Sequence, residues 1–404
     1  MKVLFVWDSD YPWDIRVEKI CNTLIENKWE VHLVCRNKLR KPIEERYNGI
    51  HLHRLPFLSA KLGSLNNIFT FPAFFSPLWL FQINKVTKKQ KPDLIIVRDL
   101  PMALAAILIG KIHKIPVILD MAEPYPEMIR LIWKFEPFKI SNIFVRNPFL
   151  ADIIEKITLK YVNHVFAMVE ESKNRLVSKG VNSDKISIVS NTPILRRFQE
   201  AKAAFPGLLS NHKGKLILLY VGLINLSRGL DTVLESLSQF IKINGNFFLA
   251  LLGTGNAVEH LKTIARKLKI ENHVGFGGWV DNKLIPEYVA SSDICIVPHH
   301  KCGHWDNTIP NKLFDYMAAN KPVLVSDVKP MERIVQETGS GLIYKDYDKE
   351  NFVSQLAKLQ DIELRKKLGQ NGVKAVQEFY NWDNDSVRML NSLKRFIKYD
   401  RKNC

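Results

Sequence analysis

Asn307, Thr308, Ile309, Lys312 and Asp315 fall together in the stretch WDNTIPNKLFDYMAANKPVLVS, residues 305–326. If 311–319 is a helix, Lys312 and Asp315 sit together on it, while Leu313, Phe314, Met317 and Ala318 share another face. A cation, a carboxylate and the unbonded N–H groups of a first helical turn can grip an anionic ligand that bears hydroxyls, although plain helix capping uses the same residue types. Two more loops offer related chemistry. In YVGLINLSRGLDTVL, residues 220–234, Gly222 ends a strand pattern and Arg228 precedes a helix pattern, a combination suited to a phosphate. In LLGTGNAVEHL, residues 251–261, Gly253 and Gly255 allow a tight turn before a helix. A G-x-G without its third glycine is only part of a dinucleotide fingerprint, and ordinary strand-to-helix turn chemistry explains it equally.

The elements that must position these loops alternate twice over. Strand patterns near 2–6, 30–35, 93–97, 116–120, 164–168 and 186–190 are interleaved with helix patterns near 14–27, 101–113, 145–161 and 171–178. A second series has strands near 215–221, 247–252, 273–276, 294–297, 322–326 and 341–344, with helices near 229–242, 257–269, 283–290 and 311–319. Such alternation predicts an α/β fold of two Rossmann-like, doubly wound parallel sheets. The break falls around 193–213, where no strand pattern holds, and from about 348 onward the chain reads as helix. Ligands of such sheets bind beyond the carboxyl ends of the strands, which is where all three loops belong.

Two clusters resemble metal sites. Asp8-Ser9-Asp10 matches a D-x-D that holds Mg²⁺ or Mn²⁺ in other proteins, but in a first strand-to-helix loop it reads as loop chemistry. His299, His300, Cys302 and His304 are crowded for a zinc site, and His299 is assigned to the wall of the binding cleft instead. No metal and no cofactor is therefore expected.

Five scattered cysteines point to a reducing compartment, and the N-terminus carries no signal-peptide pattern, so a cytoplasmic location is expected. The net charge is +17, but it is spread: residues 1–193 hold 28 Lys/Arg against 19 Asp/Glu, net +9. With the charge diffuse and no recognition module present, a nucleic-acid partner is not expected. The most uneven region lies between Glu45 and Asp93, which contains no acid but has Arg46, Arg54, Lys61, Lys85, Lys88, Lys89 and Lys91. Inside it IFTFPAFFSPLWLF, residues 68–81, is too short and too proline-broken for a membrane span. Basic flanks around an aromatic wedge suit peripheral attachment to an anionic membrane through 46–92, at the inner face of the plasma membrane, while burial in the domain core fits the same residues. Residues 128–144 have the same character.

In order, YVGxxxxxRGLDT, LLGTGN, VGFGGWV, SSDICIVP, PNKLFDYMAANKPVLVSD and ETGSGLIY resemble the nucleotide-binding domain of retaining GT-B glycosyltransferases of the group-one, or family-four, type. The match runs from about 216 to 345, with FYNW at 379–382 resembling a late Tyr-x-Trp element. The first half matches more loosely, through residues 14–34, DMAEPYPE at 120–127 and SIVSNTPILRRF at 187–198.

That resemblance implies two domains facing across a cleft: an acceptor-side domain over 1–195, a donor-binding domain over 196–375, and a terminal helix over 376–404 returning to the first. It implies a hexosyltransferase-type enzyme that moves a sugar from a nucleotide-diphosphate-sugar to an acceptor hydroxyl, in surface polysaccharide or lipid-linked glycan synthesis. Asp315 matches the carboxylate that holds the ribose, and Asn307 stands where relatives have Glu. Arg228 fills the Lys position of the pyrophosphate-gripping pair, Leu223 stands at the Arg position, and Lys312 could restore the lost charge. Gly222, Gly253, Gly255, Thr308 and Ile309 complete the implied donor site. On the acceptor side the resemblance points to Arg16, Asp120 and Glu123, with Ala122 in a position that relatives give to His. Glu123 is implied to orient the acceptor hydroxyl or take its proton, and Arg228 and Lys312 to stabilise the leaving diphosphate. A nucleotide-binding scaffold without activity, or a sugar-nucleotide epimerase on the same fold, are the alternative readings.

Overall fold

The computed structural model describes residues 1–12, 14–56, 74, 76–135, 146–199 and 201–396. The chain forms two units, Met1–Val189 with the chain from Asp385 onward, and Ser190–Asn384. Along the first unit run β1 (Lys2–Asp10), α1 (Ile15–Glu26), β2 (Glu30–Arg36), β3 (Glu44–Tyr47), β4 (Ile50–Arg54), α2 (Pro77–Gln90) and β5 (Leu94–Arg98). They are followed by α3 (Ala103–His113), β6 (Val117–Met121), α4 (Tyr125–Phe135), α5 (Pro148–Tyr161), β7 (His164–Ala167), α6 (Glu170–Ser178) and β8 (Ile186–Ile188). The eight-stranded sheet has the order β3-β4-β2-β1-β5-β6-β7-β8, parallel except for the β3–β4 pair. Phe5 of β1 registers with Leu33 of β2 and Ile96 of β5, three apolar residues in one row. Such near-continuous apolar runs are what a parallel sheet covered on both faces requires. On one face Trp79, Ile83 and Val86 of α2, with α3 and Ala151, Ile154 and Leu159 of α5, close a core over β1, β5, β6 and β7.

The second unit begins with a short α7 (Arg196–Gln199) and continues through β9 (Leu216–Val221), α8 (Leu230–Phe240), β10 (Phe247–Leu252), α9 (Val258–Lys267), β11 (Val274–Gly278), α10 (Ile285–Ala290) and β12 (Ile294–Val297). Then come α11 (Lys312–Ala318), β13 (Val323–Ser326), α12 (Lys329–Thr338), β14 (Gly341–Tyr344), α13 (Lys349–Lys358) and α14 (Ile362–Glu378). Its six strands are parallel in the order β11-β10-β9-β12-β13-β14. The last helix, α15 (Trp382–Lys394), passes from the second unit into the first, where Ser392 Oγ meets Ser187 Oγ at 2.7 Å.

Both sheets reverse their strand order once, between β1 and β5 in the first and between β9 and β12 in the second. The crevice beyond the carboxyl ends of such a pair is where doubly wound sheets bind ligands.

One expectation changes, and the residues read for membrane attachment are placed in part. Asp8-Ser9-Asp10 is not a loop: β1 runs on through it past a register shift, and Asp10 accepts from the N–H of Lys38 at 2.6 Å. Residues 46–54, part of the window read for membrane attachment, lie in β3 and β4 and the turn between them. In the aromatic run, residues 68–73 and 75 lie outside the described residues, as do 136–144 of the second stretch. The run's end opens α2, whose Trp79 is buried core. Among the described residues no helix is long and apolar enough to cross a membrane.

Candidate functional site

At the reversal point of the second unit, the loop after β9 packs on the loop after β10. Gly222 N–H donates to Leu252 O at 2.8 Å and Ile224 N–H to Thr254 O at 2.9 Å. Gly253 (φ 142°) is needed for this approach, since a Cβ there would lie 1.9 Å from Gly222 O. Gly255 is needed likewise against Ile224 O. Loop packing alone therefore accounts for both glycines. Gly222 (φ 132°) has a different neighbour: a Cβ there would come within 3.0 Å of Lys312 Nζ.

Lys312 opens α11, and its ammonium nitrogen lies 3.6 Å from the centre of the Tyr220 ring. That nitrogen is buried and has no hydrogen-bond acceptor among the described residues. Burial, with the positive charge of Arg228 nearby, pulls its pKa well below the ordinary lysine value. Arg228 stacks 4.4 Å over the Trp305 ring and donates from Nη1 to His299 Nε2. A guanidinium cannot accept, so His299 Nε2 must be the acceptor and its ring proton sits on Nδ1. His299 is fully buried, and burial with the charges of Arg228 and Lys312 keeps it neutral at pH 7. His299 Nδ1 and Trp305 Nε1, like Lys312 Nζ, are buried without a partner among the described residues. Three orphaned donors and a guanidinium thus gather at one reversal point, where buried polar groups ordinarily find partners.

His300, next along, holds this loop in place. It donates to Asp346 at 2.8 Å and to Asp231 at 3.2 Å, and stacks on Tyr347 with ring centres 4.0 Å apart. Burial works against its charge, but the two carboxylates prevail and raise its pKa to about 9. The loop after β12 is thereby tied to the first turn of α8 and to the loop after β14.

Around α11, Leu313, Phe314, Met317 and Ala318 are buried as the spacing requires. Tyr316 is also buried, its hydroxyl accepting from Val221 N–H at 2.9 Å. Asp315 is half-buried, one turn beyond Lys312. Asn307 ends a short 3₁₀ turn and donates to Gly303 O at 2.7 Å, while Thr308 and Ile309 are buried.

In the first unit the reversal point gathers a charged cluster. Arg16, in the first turn of α1, reaches Asp120 at the end of β6 through Nε at 2.9 Å and Nη2 at 2.5 Å, and also donates to Val189 O at 2.9 Å. Both side chains are buried and engaged with each other. Asp14 caps α1, accepting from Arg16 N–H and Val17 N–H at 3.0 Å each, and pairs with Arg98. Asp99, in the left-handed region (φ 58°), accepts from Ala122 N–H at 2.9 Å and Glu123 N–H at 3.2 Å. It therefore fixes the turn that carries Glu123, which is itself half-buried. Burial, reinforced by Asp120 and Asp8 against Arg98, pushes the Asp99 carboxyl up to about 7.

Family comparison accounts for both units. The family described as glycosyl transferases group 1 matches residues 205–375, and the glycosyl transferase 4-like domain matches residues 14–192. The chain belongs to the group 1 glycosyltransferase family, and its fold is GT-B. The chain is 24% identical to spore coat protein SA of Bacillus subtilis, over 48% of this chain and 52% of that one. The matches to the first curated relatives span about half of their length. Sucrose-phosphate synthase from Thermosynechococcus elongatus shares the fold at 15% identity, with a TM-score of 0.79 over 98% of both chains. The Anabaena protein HepE, solved in complex with UDP-glucose, has a TM-score of 0.72 at 13% identity, over 98% of this chain and 100% of that one.

The structure brings the expected Arg228 and Lys312 together at the second unit's reversal point, and it adds to the two clusters Trp305, Tyr220, Arg98 and Asp99, which sequence reasoning did not single out. Trp305 stands two residues before Asn307 and was open to notice as an aromatic at the start of the stretch expected to hold an anion. Asp99 carried only the signal of an Asp directly after a strand.

Proposed function

We propose that this group 1 family member transfers a sugar from a nucleotide-diphosphate-sugar to an acceptor hydroxyl, with retention at the anomeric carbon and without a metal. The carrying observation is the set of orphaned donors around Arg228: Lys312 Nζ, His299 Nδ1–H and Trp305 Nε1–H. A diphosphate supplies what they lack, acceptor oxygens and negative charge together. That HepE binds UDP-glucose on the same fold supports a nucleotide-sugar donor. Cleavage of the bond between the anomeric carbon and the diphosphate leaves its electron pair on the phosphate. Arg228 and Lys312 stabilise that charge, the largest single demand of the step. The acceptor oxygen bonds to the anomeric carbon on the face the diphosphate leaves, and Glu123 orients the acceptor hydroxyl and takes its proton. Asp315 holds the ribose hydroxyls. The acceptor is assigned to a lipid-linked glycan or growing surface polysaccharide.

Thermal shift with UDP, GDP, ADP and dTDP, each with and without Mg²⁺, tests the donor. A nucleotide at 100 times its Kd stabilises by about 2.7 kcal/mol. One nucleotide should act without metal and lose its effect in Asp315→Ala. Anomeric configuration of the product, read by NMR, tests retention. No shift at millimolar concentration from any nucleotide favours the scaffold reading, to which the exposed Leu223 at the usual arginine position lends weight.

A further inference from the structure

The helical layer over β5, β6 and β7 carries an apolar face on its outer side. On α5 the exposed positions include Phe149 (71% exposed), Leu150, Ile153 (56%), Ile157 and Tyr161, one stripe at helical spacing. Ala151, Ile154 and Leu159 of the same helix face the core, so this stripe is not needed to hold the unit together. α3 packs beside α5 and adds exposed Leu108 and Ile112 (60%). The two helices join at Tyr161, where Lys111 Nζ lies 3.5 Å from the ring centre. Single exposed apolar residues are ordinary, but a stripe continued onto a second helix marks an interaction surface.

Charge on this face has one sign. Lys111, Lys156 and Lys160 are exposed on α3 and α5, and α2, tied to α3 by Asn84 Oδ1 and His113 Nε2 at 2.8 Å, adds exposed Lys85 and Lys88. Both acids of α5 are engaged: Asp152 pairs with Arg130, and buried Glu155 pairs with Arg175 at 2.8 Å and with Lys179.

We propose that the outer face of α5 and α3 docks onto an anionic lipid bilayer, with Phe149, Ile153, Ile157 and Ile112 in the acyl boundary and the lysines on lipid phosphates. An amphipathic helix with a basic rim lies in the plane of the interface in this way, and long lysine stems reach outward to the headgroups. A second copy of the chain fits less well, because a two-fold contact sets the same lysine rim against itself. The face shares only Lys85 and Lys88 with the 46–92 window, and it does not depend on the proposed transfer reaction.

Flotation of the full chain with phosphatidylcholine vesicles, with and without phosphatidylglycerol, is the test. Wild type should float with the anionic vesicles only, and Ile153→Asp/Ile157→Asp should weaken partitioning by about tenfold or more at an unchanged thermal midpoint. Phe149→Ser, at a side chain 71% exposed, is a milder companion expected to weaken partitioning less, and Lys156→Gln/Lys160→Gln should reduce the preference for anionic lipid. Failure of wild type to float, equal binding to neutral vesicles, or aspartate variants that bind like wild type would each overturn the assignment. So would light scattering that finds a dimer dissolved by Ile153→Asp, which would give the face to a second copy.

Discussion

Lys312 holds its ammonium 3.6 Å from the centre of the Tyr220 ring, enclosed and without an acceptor among the described residues. Burial and Arg228 both disfavour its charge, so the pKa lies well below the lysine norm. A bound diphosphate reverses that balance by placing negative charge beside it. Nucleotide binding should therefore take up a proton, and affinity should rise as pH falls from alkaline toward neutral. Calorimetry in two buffers of different ionisation enthalpy reads this uptake directly. Lys312→Met should abolish the buffer dependence and cost about 1.5–3 kcal/mol of binding, the worth of a hydrogen bond to a charged group. Identical heats in both buffers would refute it.

Arg16 and Asp120 form a different kind of pair, buried at 1% and 0% exposure with three hydrogen bonds between them. Removing one partner strands the other charge away from water. Asp120→Asn or Arg16→Met should each destabilise the chain by about 3–5 kcal/mol in urea unfolding, with the double variant much less than additive. Arg16→Lys should not restore stability, because one ammonium cannot reproduce the fork that also reaches Val189 O. Additive losses would show that the two residues are not coupled.

The strands of both sheets were legible because buried parallel strands such as LILLYV and FFLALL are continuous apolar runs. β3 was not, since EERY is a short charged edge strand, and charge on an edge hides the alternation that would reveal it. β4 was obscured by two histidines in IHLHR, whose rings lie on the sheet beside His32. The loops of the candidate site could be placed at the carboxyl edge from their order alone. Which side chains meet there could not, because Asp99 reaches Asp120 only through the β5–β6 pairing, and Tyr220 meets Lys312 only because of how α11 packs below Gly222.

His300 ties three loops together through Asp231 and Asp346, and its pKa stands at about 9 against the usual 6.5. A histidine raised on folding contributes stability that is complete below its unfolded pKa and is lost as pH rises through its folded one. Unfolding free energy should accordingly drop between pH 7 and 10, by no more than about 3 kcal/mol. His300→Gln should be less stable at pH 7 and show a flatter profile across that window. Parallel profiles for the two chains would remove His300 as the cause.

Asp99 runs the opposite way from most carboxylates. Its pKa of about 7, raised by burial and by Asp120 and Asp8, means that the folded state holds a proton that the unfolded state releases. The associated stability is complete below pH 4 and is lost as pH climbs through 7. Asn at this position keeps an oxygen for the N–H groups of Ala122 and Glu123, tolerates the left-handed backbone and cannot ionise. Asp99→Asn should match wild type near pH 4, where both are uncharged, and exceed it by up to about 4 kcal/mol at pH 8, compared by urea midpoints across the range. Asp99→Ala, which also removes the acceptor, should be weaker than the Asn variant at every pH by about 1–3 kcal/mol. A constant difference between wild type and Asp99→Asn from pH 5 to 8 would mean that Asp99 is already ionised throughout, and the turn carrying Glu123 would then rest on a carboxylate rather than on a protonated acid.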